Sequence, residues 1–333
     1  MHPSLRLPLG VTATLLACTT LPAAAQSGVT VSGYLDAGMY RDYDKTNRLG
    51  TIQRSNLAFS GVEDLGHGLK ATFRLSTRFE MGTGAMEGQG SKPFWHDEST
   101  VGLQGAWGHV RLGRALSAMW SQEWKYDAFS NVNRIASTAW HLAHTFTPTD
   151  RASNNGDPEY GRMANGIFYD SPNWGGVTVH LSASPERTTA PGRDGRAVSA
   201  AVNYDQGAVG TMLGYERNGS GDKDWFAGGT YRFGAAAVLL SYNHSQAGDS
   251  ADRSRMVSVG GTYAIDATTL RASYGQQRVR LDGVAGDATN KMVSVGAEHH
   301  LSKRTMLYTS LGYQRFDQQP SRTAWGVGMA HAF

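Results

Sequence analysis

From Val29 onward the sequence alternates apolar and polar residues over segments of about ten residues, and this alternation limits the fold more than any motif does. VTVSGYLDAGMY at Val29–Tyr40 and KATFRLSTRF at Lys70–Phe79 are two of about sixteen such segments. Successive side chains of a strand point to opposite faces, so each segment has one apolar and one polar face. No segment keeps the helical period of about 3.6 residues. The pattern therefore predicts a chain of repeated β-strands.

The connections between the segments are alternately short and long. Several segments end in a tyrosine followed at once by a tight turn, as in Tyr169–Gly176 and Tyr204–Gly207. The connections at the opposite end are longer and richer in charged residues, Gly and Asn, as in Gly82–Lys92 and Asp282–Asn290. This arrangement predicts an antiparallel meander with tight turns and an aromatic ring at one rim, and loops at the other.

Two all-β architectures fit this pattern, a soluble sandwich with an apolar core and a transmembrane barrel with an apolar exterior. The polar faces carry Lys70, Arg74 and Arg78, with Arg54 and Glu80 nearby, and a dry core does not hold so many charges. One sheet of about sixteen strands would also leave long unpaired edges unless it closed. The sequence therefore favours an all-β fold in which an antiparallel barrel of about sixteen strands crosses the membrane.

The C-terminal segment keeps the strand pattern to its last residue. In TAWGVGMAHAF, Thr323–Phe333, the large residues Trp325, Val327, Met329, His331 and Phe333 alternate with Gly or Ala. In a closed barrel the last strand must pair with the first, so we expect Thr323–Phe333 to bond to Val29–Tyr40, with the bulky face toward lipid. His331 then lies on the lipid face, near the interface where polar groups cost little.

The N-terminus differs from the rest of the chain. Residues 1–25 combine one positive charge, the apolar stretch Leu7–Ala17 and small residues at a cleavage position, which predicts a signal peptide ahead of a barrel over 26–333. The single cysteine, Cys18, lies in this segment, so the mature chain has no disulfide or thiolate site. A lipoprotein cleavage box at Leu15–Cys18 is the alternative interpretation. No later apolar run is long enough for a transmembrane helix.

The succession of predicted strands is interrupted once, between VRLGR at Val110–Arg114 and the strand over Arg162–Tyr169. A connection this long is functional or disordered, and its aromatic content argues against disorder. It contains three tryptophans, several acids and Arg134, and a partly apolar constriction formed by the tryptophans would suit aromatic or sugar-like solutes. The tryptophans are Trp120, Trp124 and Trp140.

Several blocks of sequence, together with the terminal Phe333, resemble the Gram-negative general porins of the Neisseria and Burkholderia-like type. The blocks are SGVTVSGYLDAG, SNLAFSGVEDLGHGLKATFRLSTRFEMGTG, VRLGR, GIFYDSPNWGGVTV and HHLSKRTMLYTSLGY, in this order along the mature chain. The resemblance implies a sixteen-stranded outer-membrane barrel, usually a homotrimer, whose third loop folds into the lumen. It implies passive diffusion of small hydrophilic solutes and ions, without a cofactor or a metal. It also implies that Phe333 is a signal to the barrel assembly machinery.

The same resemblance implies a pore constriction in which acids of the third loop face basic residues of the wall. Carried over by position, the basic residues are Lys70, Arg74 and Arg78 on the wall, Arg54 nearby and Arg114 where the loop begins. Glu123 and Asp127 are the corresponding loop acids. The sequence departs from the family pattern at Asn56, where an Arg is common, and at Phe168, where an inward Lys is common. Fewer wall cations make strong anion selectivity less certain.

Other functions have weaker support in the sequence. The formal charge of +3 and the scattered basic residues predict no nucleic-acid partner. The chain has no G-x-S-x-G, H-E-x-x-H or P-loop motif, although a lipase-like site assembled from distant strands stays open as an alternative. A secreted carbohydrate-binding β-sandwich is the third hypothesis. His141 and His144 have helical spacing, but no carboxylates complete a metal site there, so we predict solvated histidines.

Overall fold

The computed structural model describes residues 28–87, 92–146, 161–185 and 196–333, and the predicted signal peptide lies outside them. These residues form one antiparallel sheet of sixteen long strands and one short strand, β2, that pairs with β1. The strands are β1 Gly28–Arg41, β2 Asn47–Gly50, β3 Ser55–Gly66, β4 Leu69–Phe79, β5 Glu98–Gly105, β6 Gly108–Leu116, β7 Arg162–Asp170, β8 Val177–Ala183, β9 Val198–Gln206, β10 Val209–Arg217, β11 Lys223–Phe233, β12 Ala236–Gln246, β13 Arg253–Ile265, β14 Thr268–Arg280, β15 Ala288–His300, β16 Thr305–Arg315 and β17 Arg322–Ala332.

The sheet closes because the first strand pairs with both β3 and the last strand. In the β1–β17 pair Tyr34 lies opposite Ala332 and Arg41 lies opposite Trp325. Beyond β17, the backbones of Gly33 and Phe333 exchange two hydrogen bonds of 3.2 and 3.1 Å. A closed sheet has no free edge, so the predicted sixteen-stranded barrel is confirmed and the soluble sandwich is excluded.

The two faces of the barrel have opposite chemistry. In β13 the side chains of Ser254, Met256 and Ser258 are buried toward the lumen, whereas Val257 and Val259 are exposed on the outside. Because the side-chain period of a strand is two residues, one register fixes this division along the whole strand. An apolar exterior and a polar interior are the arrangement of a barrel that lipid surrounds.

The connections differ between the two rims, as the sequence predicts. At the turn rim, glycines with positive φ such as Gly68 (77°) and Gly207 (60°) allow the chain to reverse within a few residues. At the loop rim the longest connection joins β6 to β7. Its described part contains α1 Trp120–Glu123, a 3₁₀ turn Trp124–Tyr126 and α2 Thr138–Leu142. Among the described residues, no helix has the length and apolar character needed to span a membrane.

Candidate site in the barrel lumen

Residues 117–146, here called the inner segment, lie against the lumen face of the barrel. At its start the backbone N–H groups of Ala118 and Met119 donate to the hydroxyls of Ser182 and Ser199, both at 3.0 Å. Near its end the carbonyl of Leu142 accepts a 2.6 Å bond from the Gln277 side chain. The segment thus contacts the inner wall from β8 to β14, and these polar side chains of the wall satisfy part of its backbone.

Glycines of the wall allow this close approach. A Cβ added to Gly214 would lie 2.7 Å from the Met119 side chain, and one added to Gly275 would lie 2.8 Å from Leu142. Real Cβ atoms do not come so close, so any larger residue here would displace the segment. The lumen-facing glycines that contact the segment in this way are Gly214, Gly228, Gly260, Gly275, Gly296, Gly312 and Gly326.

The two ends of the inner segment are joined to each other and to the wall by a buried polar cluster, here called the anchor. The imidazole of His144 lies between two carboxylates, with Nε2 2.7 Å from Glu123 and Nδ1 2.5 Å from Asp224. Asn243 on β12 donates to Asp224 and accepts from the His144 backbone N–H at 2.8 Å. All four side chains are almost completely removed from solvent.

The anchor holds a charged imidazole. Burial disfavours the imidazolium, but the carboxylates of Asp224 and Glu123 outweigh this effect and raise the pKa of His144 well above its usual value. Burial raises the pKa of Glu123, and the neighbouring His144 opposes that rise. The imidazolium and its two acids are enclosed together and screened from the lumen by burial, so they act chiefly on one another.

Asp127 shapes the inner segment itself. Its carboxylate accepts bonds from the backbone N–H groups of Phe129 at 2.8 Å and Ala139 at 3.1 Å, and from the Thr138 hydroxyl at 3.2 Å. It is 5% exposed and Glu123 is 2% exposed. Neither acid lines the cavities described below, so the structure does not bring these two predicted loop acids to the basic residues of the wall.

The basic residues gather on the opposite side of the lumen, around two cavities. The larger cavity, of about 670 Å³, is open toward the loop rim, and the second measures about 410 Å³. Arg54 and Arg78 line both cavities and therefore lie where the two cavities adjoin. The larger cavity is lined by six basic and two acidic side chains, which are Arg48, Arg54, Arg78, Lys92, Arg134, Arg162, Glu80 and Glu87.

Arg54 is held in place by its backbone rather than by an ion pair. Asp36, at the centre of β1, accepts bonds from the N–H groups of Ile52 at 2.7 Å and Gln53 at 2.8 Å, which fixes the chain just before Arg54. The Arg54 guanidinium lies 4.7 Å from the centre of the Trp140 ring. Its Nε is buried and has no hydrogen-bond partner within the described ranges.

The charge of Arg54 is therefore less compensated than that of its neighbours. Burial and the nearby charge of Arg78 lower the pKa of Arg54 well below its usual value, although a guanidinium keeps its proton in a protein. Arg78 itself bonds to Asp97 at 2.7 Å, and Asp97 also pairs with Arg162. An anion that reaches Arg54 would meet a positive charge without a carboxylate partner in the described structure.

The other predicted wall residues lie elsewhere. Arg74 pairs with Glu98 at 3.2 Å, Arg114 donates to the carbonyl of His96 at 2.7 Å, and Lys70 is an exposed residue near the turn rim. None of the three lines the two cavities. A ladder of ion pairs continues from Glu98 along the wall, and its further members, missed in the sequence, are Arg111, Asp170 and His180.

The three tryptophans of the long connection do not form one group. Trp140 lies under Arg54, whereas Trp120 packs on His144 in the anchor with ring centres 4.3 Å apart. Trp124 is 45% exposed, and its indole N–H donates to the Ser121 carbonyl. His141 and His144 have different partners, since His141 bonds to the Arg134 carbonyl at 2.7 Å. The prediction of solvated histidines is wrong for His144, which is buried between two carboxylates.

Arg134 and Arg162 are cavity residues that the sequence did not identify as part of the site. Arg134 bonds to Glu80 at 2.6 Å, and its backbone N–H donates to the Ile52 carbonyl at 3.0 Å, next to the segment that carries Arg54. Arg134 lies within the long connection, where no strand period indicates the direction of a side chain. Arg162 is the first residue of β7, where the strand pattern only begins.

Comparison with known proteins gives a consistent result. Residues 12–319 match the family described as Gram-negative porin. Outer membrane porin protein 32 of Delftia acidovorans is 31% identical, over 87% of this chain and 85% of that protein. Major outer membrane protein P.IB of Neisseria lactamica is 26% identical, over 96% of this chain and 98% of that protein. Among solved structures, the anion-selective porin from Comamonas acidovorans superposes with a TM-score of 0.79 at 26% identity, covering 92% of this chain and 100% of that one.

Proposed function

Because the chain belongs to the Gram-negative porin family, we propose that its channel selects for anions at a passage formed by Arg54 and Arg78. The protein is an outer-membrane porin, a channel for the passive diffusion of small hydrophilic solutes, and it is not an enzyme. The proposal concerns which solutes pass and which residues select them. The similar porin from Comamonas acidovorans is anion-selective, which supports the proposed sign of selectivity.

The observation that carries the proposal is that the two lumen cavities share the same two arginines. A solute that moves from one cavity to the other must pass Arg54 and Arg78. Fixed charges in a narrow aqueous passage act more strongly than in bulk water, because the low-dielectric walls focus the field. A pair of unit charges about 4 Å apart interacts by about 1 kcal/mol even in a water-like medium.

The balance of charge supports anions rather than cations. Six basic and two acidic side chains line the larger cavity. Of these acids Glu80 is paired with Arg134, and Glu87 lies 4.0 Å from Arg78. We propose that Glu80 and Glu87, rather than Glu123 and Asp127, are the acids opposite the arginines, and that the latter two maintain the shape of the inner segment.

The test is the reversal potential of the purified protein in a planar bilayer under a potassium chloride gradient. In Arg54→Gln/Arg78→Gln we expect the ratio of chloride to potassium permeability to fall about fivefold, the equivalent of about 1 kcal/mol. Lys70→Gln is the matched control, since it removes one cation of the same wall outside both cavities. An unchanged reversal potential in the double variant would remove the two arginines from the selectivity mechanism.

The assembly of the channel is a separate part of the proposal. We infer a homotrimer from the family, and a C-terminal signal to the barrel assembly machinery from the position of Phe333 at the β1–β17 seam. Deletion of Phe333 should lower the amount of assembled protein in the outer membrane, whereas the deleted chain should still refold in detergent. Light scattering of the detergent-solubilised protein measures the number of subunits.

A further inference from the structure

The larger cavity has an apolar side as well as a basic one. Besides the charged side chains named above, its lining includes Tyr40 of β1, Leu49 of β2 and Trp140 of α2. Its volume of about 670 Å³ lies within the range of about 300–1,000 Å³ that small-molecule sites occupy. Such sites combine hydrophobic and aromatic walls with a few polar groups that fix the orientation of the ligand. A chloride ion would use only the charges, so the apolar side indicates a larger solute.

Trp140 is held in a fixed position beside this cavity. Its backbone N–H donates a 3.1 Å bond to the hydroxyl of Ser137, the residue that caps α2. The buried Thr138 joins the same short helix to Ser258 of β13 through a 2.8 Å bond. The Trp140 side chain itself is only half-buried, and its indole N–H has no hydrogen-bond partner in the part of the chain that the structure describes. A partly exposed ring with an unused donor is available to a solute.

Arg54 presents its charge next to this ring. Its guanidinium lies 4.7 Å from the centre of the Trp140 ring. The side chain makes no hydrogen bond or ion pair with the described residues, and only its Nε is enclosed without a partner, so its two terminal nitrogens are open to the cavity. A guanidinium binds a carboxylate through two parallel hydrogen bonds and packs flat on aromatic rings. A carboxylate on Arg54 would therefore bring the rest of its solute against Trp140.

In the described part of the lining, the neighbouring arginines do not offer this combination. Arg78 is bonded to Asp97 at 2.7 Å, and Arg134 is bonded to Glu80 at 2.6 Å. A carboxylate that bound either of them would compete with an acid that the protein already supplies. The place where an anionic group meets both an open guanidinium and an aromatic ring is therefore at Arg54.

On the basis of the proposed anion-selective passage, we propose that the larger cavity prefers small aromatic carboxylates to aliphatic carboxylates of the same charge. The carboxylate binds the terminal nitrogens of Arg54, and the ring of the solute lies against Trp140. A flat ring suits this position because contact between two aromatic rings adds to the burial of apolar surface. The binding is weak, as conduction requires, since a solute that bound tightly would not leave the pore.

The test is the block of the chloride current in a planar bilayer by benzoate and by cyclohexanecarboxylate, at about pH 8, where both acids are ionised. The two probes have the same charge and the same number of carbon atoms, but only benzoate has a flat aromatic ring. In the parent protein we expect benzoate to halve the current at a concentration about fivefold lower, the equivalent of about 1 kcal/mol for one contact between rings. Equal half-blocking concentrations in the parent would overturn the proposal without any variant.

Variants of the inner segment assign the preference to one ring. Trp140→Leu keeps an apolar side chain, so both probes should block it equally, whereas Trp140→Phe should retain the preference for benzoate. Trp124→Leu is the matched control and should behave like the parent, since that exposed ring of the same segment lines neither cavity. In Arg54→Gln both probes should bind about fivefold more weakly, because both use its charge. A Trp140→Leu channel that still prefers benzoate would refute the role of the ring.

Two further measurements separate the aromatic site from the passage on which it rests. If the parent keeps an anion-selective reversal potential in potassium chloride but is blocked equally by both acids, the passage stands and the aromatic site is refuted. Benzamide, a neutral probe with the same ring, should block the current at least about fivefold more weakly than benzoate, because it lacks the charge. Equal block by benzamide and benzoate would show that the ring alone is recognised and that Arg54 does not bind the carboxylate.

Discussion

The inner segment lies beside two groups of charged residues, one enclosed and one open to the lumen. At the anchor, His144, Glu123 and Asp224 are closed off from water and satisfy one another. Beside the cavities, Arg54 and Arg78 face open space, and Arg54 has no ion-pair partner among the described residues. Access to water, rather than the presence of charge in the lumen, distinguishes a group that fixes the segment from a group that acts on solutes.

This difference has a physical cause. Charges enclosed in a low-dielectric site must be paired, because an unpaired one is very costly to bury. Such pairing cancels the field that a solute in the lumen would experience. At the cavities, water supports an incompletely paired arginine, and its field remains available to a passing ion. The anchor therefore holds the shape of the pore, and the arginines at the cavities act on the solute.

The largest expected effect comes from breaking the anchor. His144→Ala leaves Glu123 and Asp224 buried without their cation, and loss of one partner of a buried pair costs about 3–5 kcal/mol. We expect a lower unfolding temperature and a noisier single-channel current, since the inner segment loses its attachment to β11. Thermal unfolding in detergent and bilayer recordings measure both.

The control for this variant is His300→Ala, which removes an exposed imidazole at the turn rim. It should leave both the unfolding temperature and the current noise unchanged. If His144→Ala behaved like this control, the anchor would be dispensable and the segment would be held by its glycine contacts alone.

The second-largest expected effect is a change in stability at two adjacent glycines of β11. A Cβ at Gly228 would meet the ring of Tyr126 in the inner segment, whereas one at Gly229, on the outer face, would have no heavy atom within 4 Å. Gly228→Ala should therefore destabilise the protein by about 1–3 kcal/mol through overpacking, and Gly229→Ala should be neutral or slightly stabilising. Denaturant unfolding of the two variants measures the difference, and equal stabilities would mean that the segment moves aside freely.

How well the sequence predicts each feature depends on how far apart along the chain the interacting residues lie. The alternation of apolar and polar residues determines which face each strand residue occupies. The sequence therefore predicted the barrel, its two rims and its closure by the strand that contains Trp325. The partners of His144 could not be predicted, because Asp224 is 80 residues away from it and belongs to a strand whose register depends on several turns. For the same reason basic residues that the register places side by side, such as Arg255 opposite Arg278, appear in the sequence as scattered charges.

The third expected effect is a dependence of the anchor on pH. The pKa of His144 is raised in the folded protein, so its stabilising contribution is complete below about pH 6.5, its unfolded value, and is lost as the pH rises toward the folded pKa. The raised pKa of Glu123 acts in the same direction. We expect the unfolding free energy to fall above neutral pH by up to about 1.4 kcal/mol per pH unit for one proton. In His144→Gln this slope should disappear, and a parent protein that is more stable at pH 9 than at pH 6 would contradict the assignment.

The smallest expected effect concerns the residues beside the cavities. Trp140→Ala removes the ring under the Arg54 guanidinium, a contact of about 0.5–2 kcal/mol, but leaves every charge of the passage in place. Because the larger cavity gains space while its field is kept, conductance should rise and the reversal potential should change little. Trp124→Ala is the matched control, since this exposed ring of the same segment lines neither cavity. A large loss of anion preference in Trp140→Ala alone would show that the ring aims Arg54 into the passage, and that selectivity depends on orientation as well as on the number of charges.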